Sequence, residues 1–259
     1  MKTRNTLLCS ILFFSYNSYA QQGGGTESIV ADTSAIESQK FSFNTESSVT
    51  NLYLWRGIVF NQGIISQSSF TVQKNGWNLN AWNSTSILET EGNSTSPELD
   101  FTLSKIIEPG NFYIEPSLML YTYPSELNAC TSEAGMYVGY YYGSLGIFFN
   151  PISDILQNPG GIFSETGITF DNETSERHFV INAALGTGNK KFVRYNISGE
   201  ENFISVYKTI DLNASWQQNM KHGFYIKSFA NFFFLLSRNY SSIVNPRPAS
   251  IILSAGKVF

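Results

Sequence analysis

Residues 203–216 alternate apolar and polar side chains, and that period of two constrains the fold more than any other feature. Ile204, Val206, Ile210, Leu212, Ala214 and Trp216 share one face; Ser205, Tyr207, Thr209, Asp211, Asn213 and Ser215 share the other. Successive side chains of a strand point to opposite sides, so the run describes a strand with one apolar and one hydrated face. Lys208 is the exception on the apolar face. The pattern returns in 99–107, where Leu99, Phe101, Leu103 and Ile107 oppose Asp100, Thr102 and Ser104, with Lys105 as the exception. It returns again in 112–122, where Phe112, Ile114, Leu118 and Leu120 oppose Tyr113, Glu115, Ser117 and Tyr121. Pro116 lies inside that run, which predicts an edge or a bulge there.

Twelve strands are predicted: 41–53, 64–74, 77–87, 98–107, 111–123, 132–142, 145–151, 160–170, 178–187, 203–217, 222–237 and 249–259. The connections alternate in length. One set is tight: Asn75-Gly76, Glu108-Pro109-Gly110, Gly143-Ser144, Asp171 to Arg177, and Gln218 to Lys221. The other is longer: 54–63, 88–97, 124–131, 152–159, 188–202 and 238–248. Short turns at one rim and long loops at the other are the layout of a bacterial outer-membrane barrel, with the turns and both mature termini periplasmic. Runs of about ten residues also suit a tilted strand crossing a bilayer. Aromatic residues make up 15 % of the chain. Those near strand ends, Tyr53, Trp55, Trp77, Tyr121, Tyr123, Trp216 and Phe224, are expected to form interface girdles. A soluble β-sandwich would alternate too, but would not need this girdle or the matched strand lengths. The expected fold is therefore all-β, a closed antiparallel transmembrane barrel over 40–259. No helix-length apolar run follows residue 20, which excludes a helical membrane protein.

The first twenty residues have the form of a cleaved secretory signal. Lys2 and Arg4 precede a short apolar run, Leu7 to Phe14, and Ser18-Tyr19-Ala20 offers small residues for cleavage before Gln21. Residues 21–39, opening Gln-Gln-Gly-Gly-Gly, are expected to be a flexible periplasmic tail. Loss of Lys2 and Arg4 leaves 14 basic residues against 20 acids, about −6 in all, which makes nucleic acid a poor partner. Cys9 departs with the signal, so Cys130 has no internal disulfide partner and is expected in a loop.

Chemistry is sparse. His178 and His222 both fall beside predicted turns at the periplasmic rim and are expected as interfacial or turn residues. Glu89 with Glu91, and Glu173 with Glu176, lack metal-ligand spacing and are expected to be solvated. Leu185-Gly186-Thr187-Gly188-Asn189 is not read as a phosphate loop, because no helix is expected after it. The expectation is a non-enzyme without cofactor or metal. On or near the hydrated face lie Glu46, Asp100, Glu115, Glu165, Asp211 and Lys227, candidates to line the lumen. Their acid excess disfavours anionic sugar oligomers and favours neutral solutes or cations.

The last strand ends on Phe259, with Ile251, Leu253 and Phe259 on one face. This resembles the carboxyl-terminal signal read by the barrel-assembly machinery, although Lys257 takes a place usually apolar or aromatic. Residues 49–83 contain Tyr53-Leu54-Trp55-Arg56-Gly57 and Asn75-Gly76-Trp77, with Trp82 in the following strand. The stretch resembles the first hairpins of the TorF-like putative porins, in which a Tyr-Leu-x-Arg-Gly type motif ends the first strand. The resemblance implies an outer-membrane barrel with an ill-defined transport role, and makes Arg56 and Gly57 its motif residues. Gly57 permits a sharp turn, and Arg56 is expected to fold into the barrel mouth against an acid, with Glu46 and Glu115 as candidates. The expected function is a small porin for passive diffusion of small polar solutes, among outer-membrane lipids. Its rival is a non-conducting structural or surface-binding barrel acting through its loops.

Overall fold

The computed structural model describes residues 41–89, 97–125, 130–198, 206–240 and 244–259. The signal, the tail, Glu91 and the start of the 203–217 run lie outside the described residues. Twelve strands follow in order: β1 (Ser42–Trp55), β2 (Ile58–Lys74), β3 (Trp77–Glu89), β4 (Glu98–Lys105), β5 (Phe112–Thr122), β6 (Cys130–Tyr142), β7 (Leu145–Asp154), β8 (Ile162–Glu173), β9 (Arg177–Gly188), β10 (Tyr207–Asn219), β11 (Phe224–Leu235) and β12 (Ala249–Val258). Each pairs antiparallel with its chain neighbours, and β12 pairs with β1 to close a barrel. Following the register once round the ring returns to β1 about 16 residues along, a stagger that tilts twelve strands by roughly 45° to the axis.

The alternation places polar groups inside and apolar groups outside. In β10, Thr209, Asp211, Asn213 and Ser215 are buried, while Ile210, Leu212 and Trp216 are exposed. The same holds around the wall, with Leu79, Phe101, Leu118, Ile147, Ile168, Ile181, Phe232 and Leu253 outward. A continuous apolar outer band around a polar interior is the inverse of a soluble protein and suits lipid. Because the sheet closes on itself, no edge is left with unpaired backbone groups, which a bilayer would penalise.

The exceptions to the alternation are explained at the rims. Lys105 lies 5.4 Å from the Trp77 ring, Lys74 lies 4.3 Å from Phe41, and Lys257 lies 4.8 and 4.3 Å from Phe224 and Phe259. These three are at the short-turn end, where an amphipathic lysine stem can cover apolar surface while its charge reaches the headgroup zone; Lys208, the other exception, lies near the start of β10 at the opposite rim. Pro116 forms no bulge. The β4–β5 ladder instead breaks between Ser104↔Ser117 and the isolated Ile107↔Ile114 bridge, and Pro116, lacking an N–H, falls in that gap. Pro151 stands in a matching gap of the β6–β7 ladder, between Gly135↔Ile152 and Val138↔Phe149.

Several sequence expectations are corrected. The segment 54–63 is not a long loop: β1 and β2 run on and meet in the two-residue turn Arg56-Gly57. Tyr53, Trp55 and Tyr121 are buried inside the barrel and Tyr123 is half-buried, so these four are not girdle residues; Trp77, Trp216 and Phe224 do face outward. Cys130 is the first residue of β6. His178 is buried with its Nε2 3.1 Å from Asp171, facing inward rather than towards an interface, whereas His222 sits in the β10–β11 turn. A one-turn helix, α1 (Lys190–Val193), does follow Asn189 and continues into a π-turn, Arg194–Ser198.

Phe259 extends the closing pair. Its backbone N–H donates to the Phe43 carbonyl at 2.9 Å, and the Phe43 N–H donates back at 3.5 Å. Deleting Phe259 should lower the heat-modifiable, folded fraction several-fold. A one-residue deletion within 21–38 should not, and equal folded fractions from the two deletions would count against an assembly role.

Candidate functional site at the mouth of the barrel

The end of the barrel that carries the long connections is filled by the tip of the β1–β2 hairpin. The cause begins in the sequence Leu52-Tyr53-Leu54-Trp55, an apolar run that breaks the alternation, so both faces of the strand need burial. All four residues are buried, and the β1–β2 register shifts between Thr50 and Leu52 and again between Tyr53 and Leu54. Bulges bend a strand and increase its twist. Here they coincide with the departure of the hairpin from the wall into the lumen.

Arg56 and Gly57 have φ of 51° and 79°. Two positive φ values in a two-residue turn are the mark of type I′, the turn that fits the twist of a hairpin. Asn75-Gly76 has the same form, with φ of 52° and 74°. Asn tolerates this conformation well; Arg does so at some cost, so other contacts must hold it. They do. Arg56 is 1 % exposed, and its two terminal nitrogens donate to the two carboxylate oxygens of Glu133 at 2.7 and 2.6 Å. The guanidinium lies 4.2 Å from the Trp55 ring, 5.3 Å from Phe163 and 5.7 Å from Phe192. Tyr121 donates to the same Glu133 carboxylate at 2.8 Å, and Tyr207 donates to the Arg56 carbonyl at 3.1 Å. A forked, charge-assisted pair of this kind is specific to arginine. Gly57 is required as well: a Cβ there would lie 2.7 Å from the Tyr207 hydroxyl and 3.3 Å from both Phe233 and Thr209.

Helix α1 completes the closure. The Asn189 side chain caps it by accepting from the Phe192 N–H at 2.9 Å. That single turn carries Phe192 into the mouth, against Trp55 at 5.8 Å, Phe163 at 5.2 Å and Tyr207 at 6.1 Å between ring centroids. Leu54, Met119, Ile152, Phe233 and Tyr240 belong to the same buried apolar cluster. A polar barrel thus has an apolar stopper near one end, pinned by one ion pair.

Beside the stopper opens a cavity of about 470 Å³. It is lined by Tyr53, Trp55 and Phe60 of the hairpin, Tyr121, Tyr123, Phe192 and Tyr195, and by Glu98, Glu133 and Asp154. Asp154 accepts from Thr131 and from the backbone of Leu156 and Asn158, and so ties down the β7–β8 connection. Tyr123, just past the end of β5, has its phenol pushed well above the usual range, by burial first and then by the Glu98 and Asp100 carboxylates. It therefore acts there as a hydrogen-bond donor and not as an anion.

The other residues singled out in the sequence are all buried on the inner face. Glu46 accepts from Tyr225 at 2.7 Å and lies 3.4 Å from Lys227. Glu115 accepts from Ser104 at 2.6 Å and Tyr113 at 2.9 Å. Both sit towards the short-turn end, so neither meets Arg56, the two partners first considered for it. Glu46 is ten residues before Arg56 in β1, a separation of roughly 30 Å along a strand. Asp100, Glu165 and Asp211 lie in the half nearer the mouth, on β4, β8 and β10. The residue that sequence reasoning missed is Glu133. Its alternation with Gly135 and Tyr137 was the available sign that it faces the lumen. Among the described residues no group of three His, Cys, Asp or Glu is arranged to hold a metal ion.

No protein-family profile and no curated protein sequence matches the chain. Solved structures do. The KdgM porin aligns with a TM-score of 0.51 and 9 % identity, over 84 % of this chain and 99 % of that one. The KdgM porin in complex with disordered oligogalacturonate aligns with a TM-score of 0.50 and 11 % identity, over the same 84 % and 99 %. The outer-membrane channel COG4313 from Pseudomonas putida F1 gives 0.49 and 8 %, over 88 % and 98 %. At these identities the likeness is one of architecture: the chain has the twelve-strand closed-barrel fold of outer-membrane porins.

Proposed function

We propose that this chain is a TorF-like outer-membrane channel that passes small polar solutes passively, and that its long-loop mouth is closed at rest by the β1–β2 hairpin. The observation that carries the reading is the inverted barrel: polar and charged residues on the inner face of the wall, lipid-compatible residues on the outer. A twelve-strand ring is wider than the eight-strand type that side chains fill. The acids buried in it, Glu46, Glu98, Asp100, Glu115, Glu133, Asp154, Glu165, Asp171 and Asp211, outnumber the buried cations Arg56 and Lys227 among the described residues. Such a lumen favours cations and neutral solutes. Oligogalacturonate, found with the KdgM porin, is a polyanion, and this interior would repel it. In this reading the chain is exported by cleavage after Ala20, inserted by the barrel-assembly machinery, surrounded by outer-membrane lipid, and oriented with its termini and short turns periplasmic. No catalytic residue or cofactor is assigned.

Planar-bilayer recording tests this. Under a potassium chloride gradient, discrete steps are expected, with a reversal potential displaced towards that of potassium. A folded barrel that stays silent would favour the rival, a non-conducting barrel acting through its loops. A reversal potential on the chloride side would overturn the assigned preference while leaving the channel intact.

A further inference from the structure

We infer that the mouth cavity is a binding site for a small organic cation of the ammonium class. This names the solute class met at the mouth of the proposed channel, and rests on that reading only for the passage that would follow binding. Size comes first. A volume of about 470 Å³ is far more than a metal ion needs and lies within the range of small-molecule pockets. Lining comes second. Among the fifteen described residues that line it, seven are aromatic, three are acids and none is basic. Aromatic faces attract cations through their quadrupole, most strongly where water is partly excluded. Charge comes third. Arg56, whose guanidinium lies against the lining residue Trp55, is already committed to Glu133 through both carboxylate oxygens, and Glu98 and Asp154 are the other two acids on the lining. An anionic ligand would meet carboxylates on this lining without a basic partner.

The alternatives fit less well. A neutral sugar would gain from the aromatic faces and from hydrogen bonds to Gln157, Asn196 and the acids, but carries no charge for the acid excess to attract. Tyr195 is the best handle on the ligand. It is 52 % exposed, on the π-turn after α1, so replacing it leaves the barrel wall untouched.

Choline is a suitable probe, because 3,3-dimethyl-1-butanol matches its shape without the charge and 3,3-dimethylbutanoate reverses the charge. Calorimetric titration of the folded, full-length barrel in micelles should show saturable choline binding. Choline should bind at least tenfold tighter than the neutral alcohol and should weaken as salt is raised. The anion should show no binding. Tyr195→Leu should reduce choline affinity several-fold and Tyr195→Phe should retain it, while Glu98→Gln should abolish most of the preference over the alcohol. Equal affinity for choline, the alcohol and glucose, or no saturable binding by a heat-modifiable barrel, would overturn the inference. Conduction is read separately in bilayers. A barrel that conducts without binding choline fails this inference alone, and one that binds choline but stays silent fails the channel reading alone.

Discussion

Replacing Arg56 by alanine should open the mouth, raising single-channel open time by at least tenfold without altering heat-modifiability. The expected size follows from burial. Removing one partner of a buried ion pair typically costs about 3–5 kcal/mol, because the other charge is left desolvated. Glu133 would keep only its bond from Tyr121 and would draw water into the stopper. If the cost falls on the seated hairpin and not on the wall, about 3 kcal/mol changes the ratio of seated to released hairpin by roughly a hundredfold. The wall is insulated from this change because its ladders do not involve the Arg56 side chain. Arg56→Lys should open the mouth nearly as far, since an ammonium cannot reproduce the two-pronged pair. Gly57→Val should do the same by another route, through the positive φ and the approach to Tyr207. The double change Arg56→Leu with Glu133→Leu should keep the mouth shut, because the apolar contacts persist and no buried charge remains. Unchanged gating in a folded Arg56→Ala barrel would refute the closing role of the pair.

The second large effect concerns the outer face. Leu212→Arg should lower folding stability in lipid vesicles by about 2–4 kcal/mol, the cost of an arginine near mid-bilayer. Leu212 stands in the middle of β10, outward and 40 % exposed, between Phe232 on β11 and Ala183 on β9. Its neighbour Asn213 points inward and bonds with Asn182 at 2.8 Å. Asn213→Asp should therefore leave stability in lipid far less changed and instead alter ion preference. Equilibrium unfolding by denaturant in vesicles measures both. A neutral effect of Leu212→Arg would mean that this face does not contact hydrocarbon.

The wall was legible in the sequence because its code is local. Period two and turn residues suffice to place twelve strands, and the lysines that break the alternation sit at rims, where they do no harm. The mouth was less legible for two reasons. Gly57, Asn61 and Gly63 suggest a loop, and only the apolar run before them hints that the hairpin continues and needs covering on both faces. Arg56-Gly57 has the same turn form as Asn75-Gly76, yet Arg is an uncommon first residue for it, so the turn is visible only once Glu133 is known to hold the side chain. That partner lies 77 residues away. It depends on the accumulated stagger of the strands between, which strand positions alone do not supply. Tyr53 and Trp55, assigned to the lipid belt, proved to be internal because the β1–β2 tip leaves the wall, whereas Tyr121 stays in the wall and is internal because it lies on the hydrated face of β5.

The hairpin that stops the mouth also carries a consequence for the order of biogenesis. It comes from the first two strands made, yet Glu133, Phe163, Tyr207 and Phe233, which receive it, come from β6, β8, β10 and β11. The Tyr207 contact spans 151 residues. Its berth therefore does not exist until nearly the whole chain has been laid into the ring, and the ring itself closes only when β12 reaches β1. Docking of the tip belongs at the end of the pathway, after the perimeter is sealed. Two products then share one perimeter and differ only in which side of the rim the tip was on when closure occurred. A freshly inserted population should pass through a leaky interval whose length is set by capture of the tip and not by strand pairing.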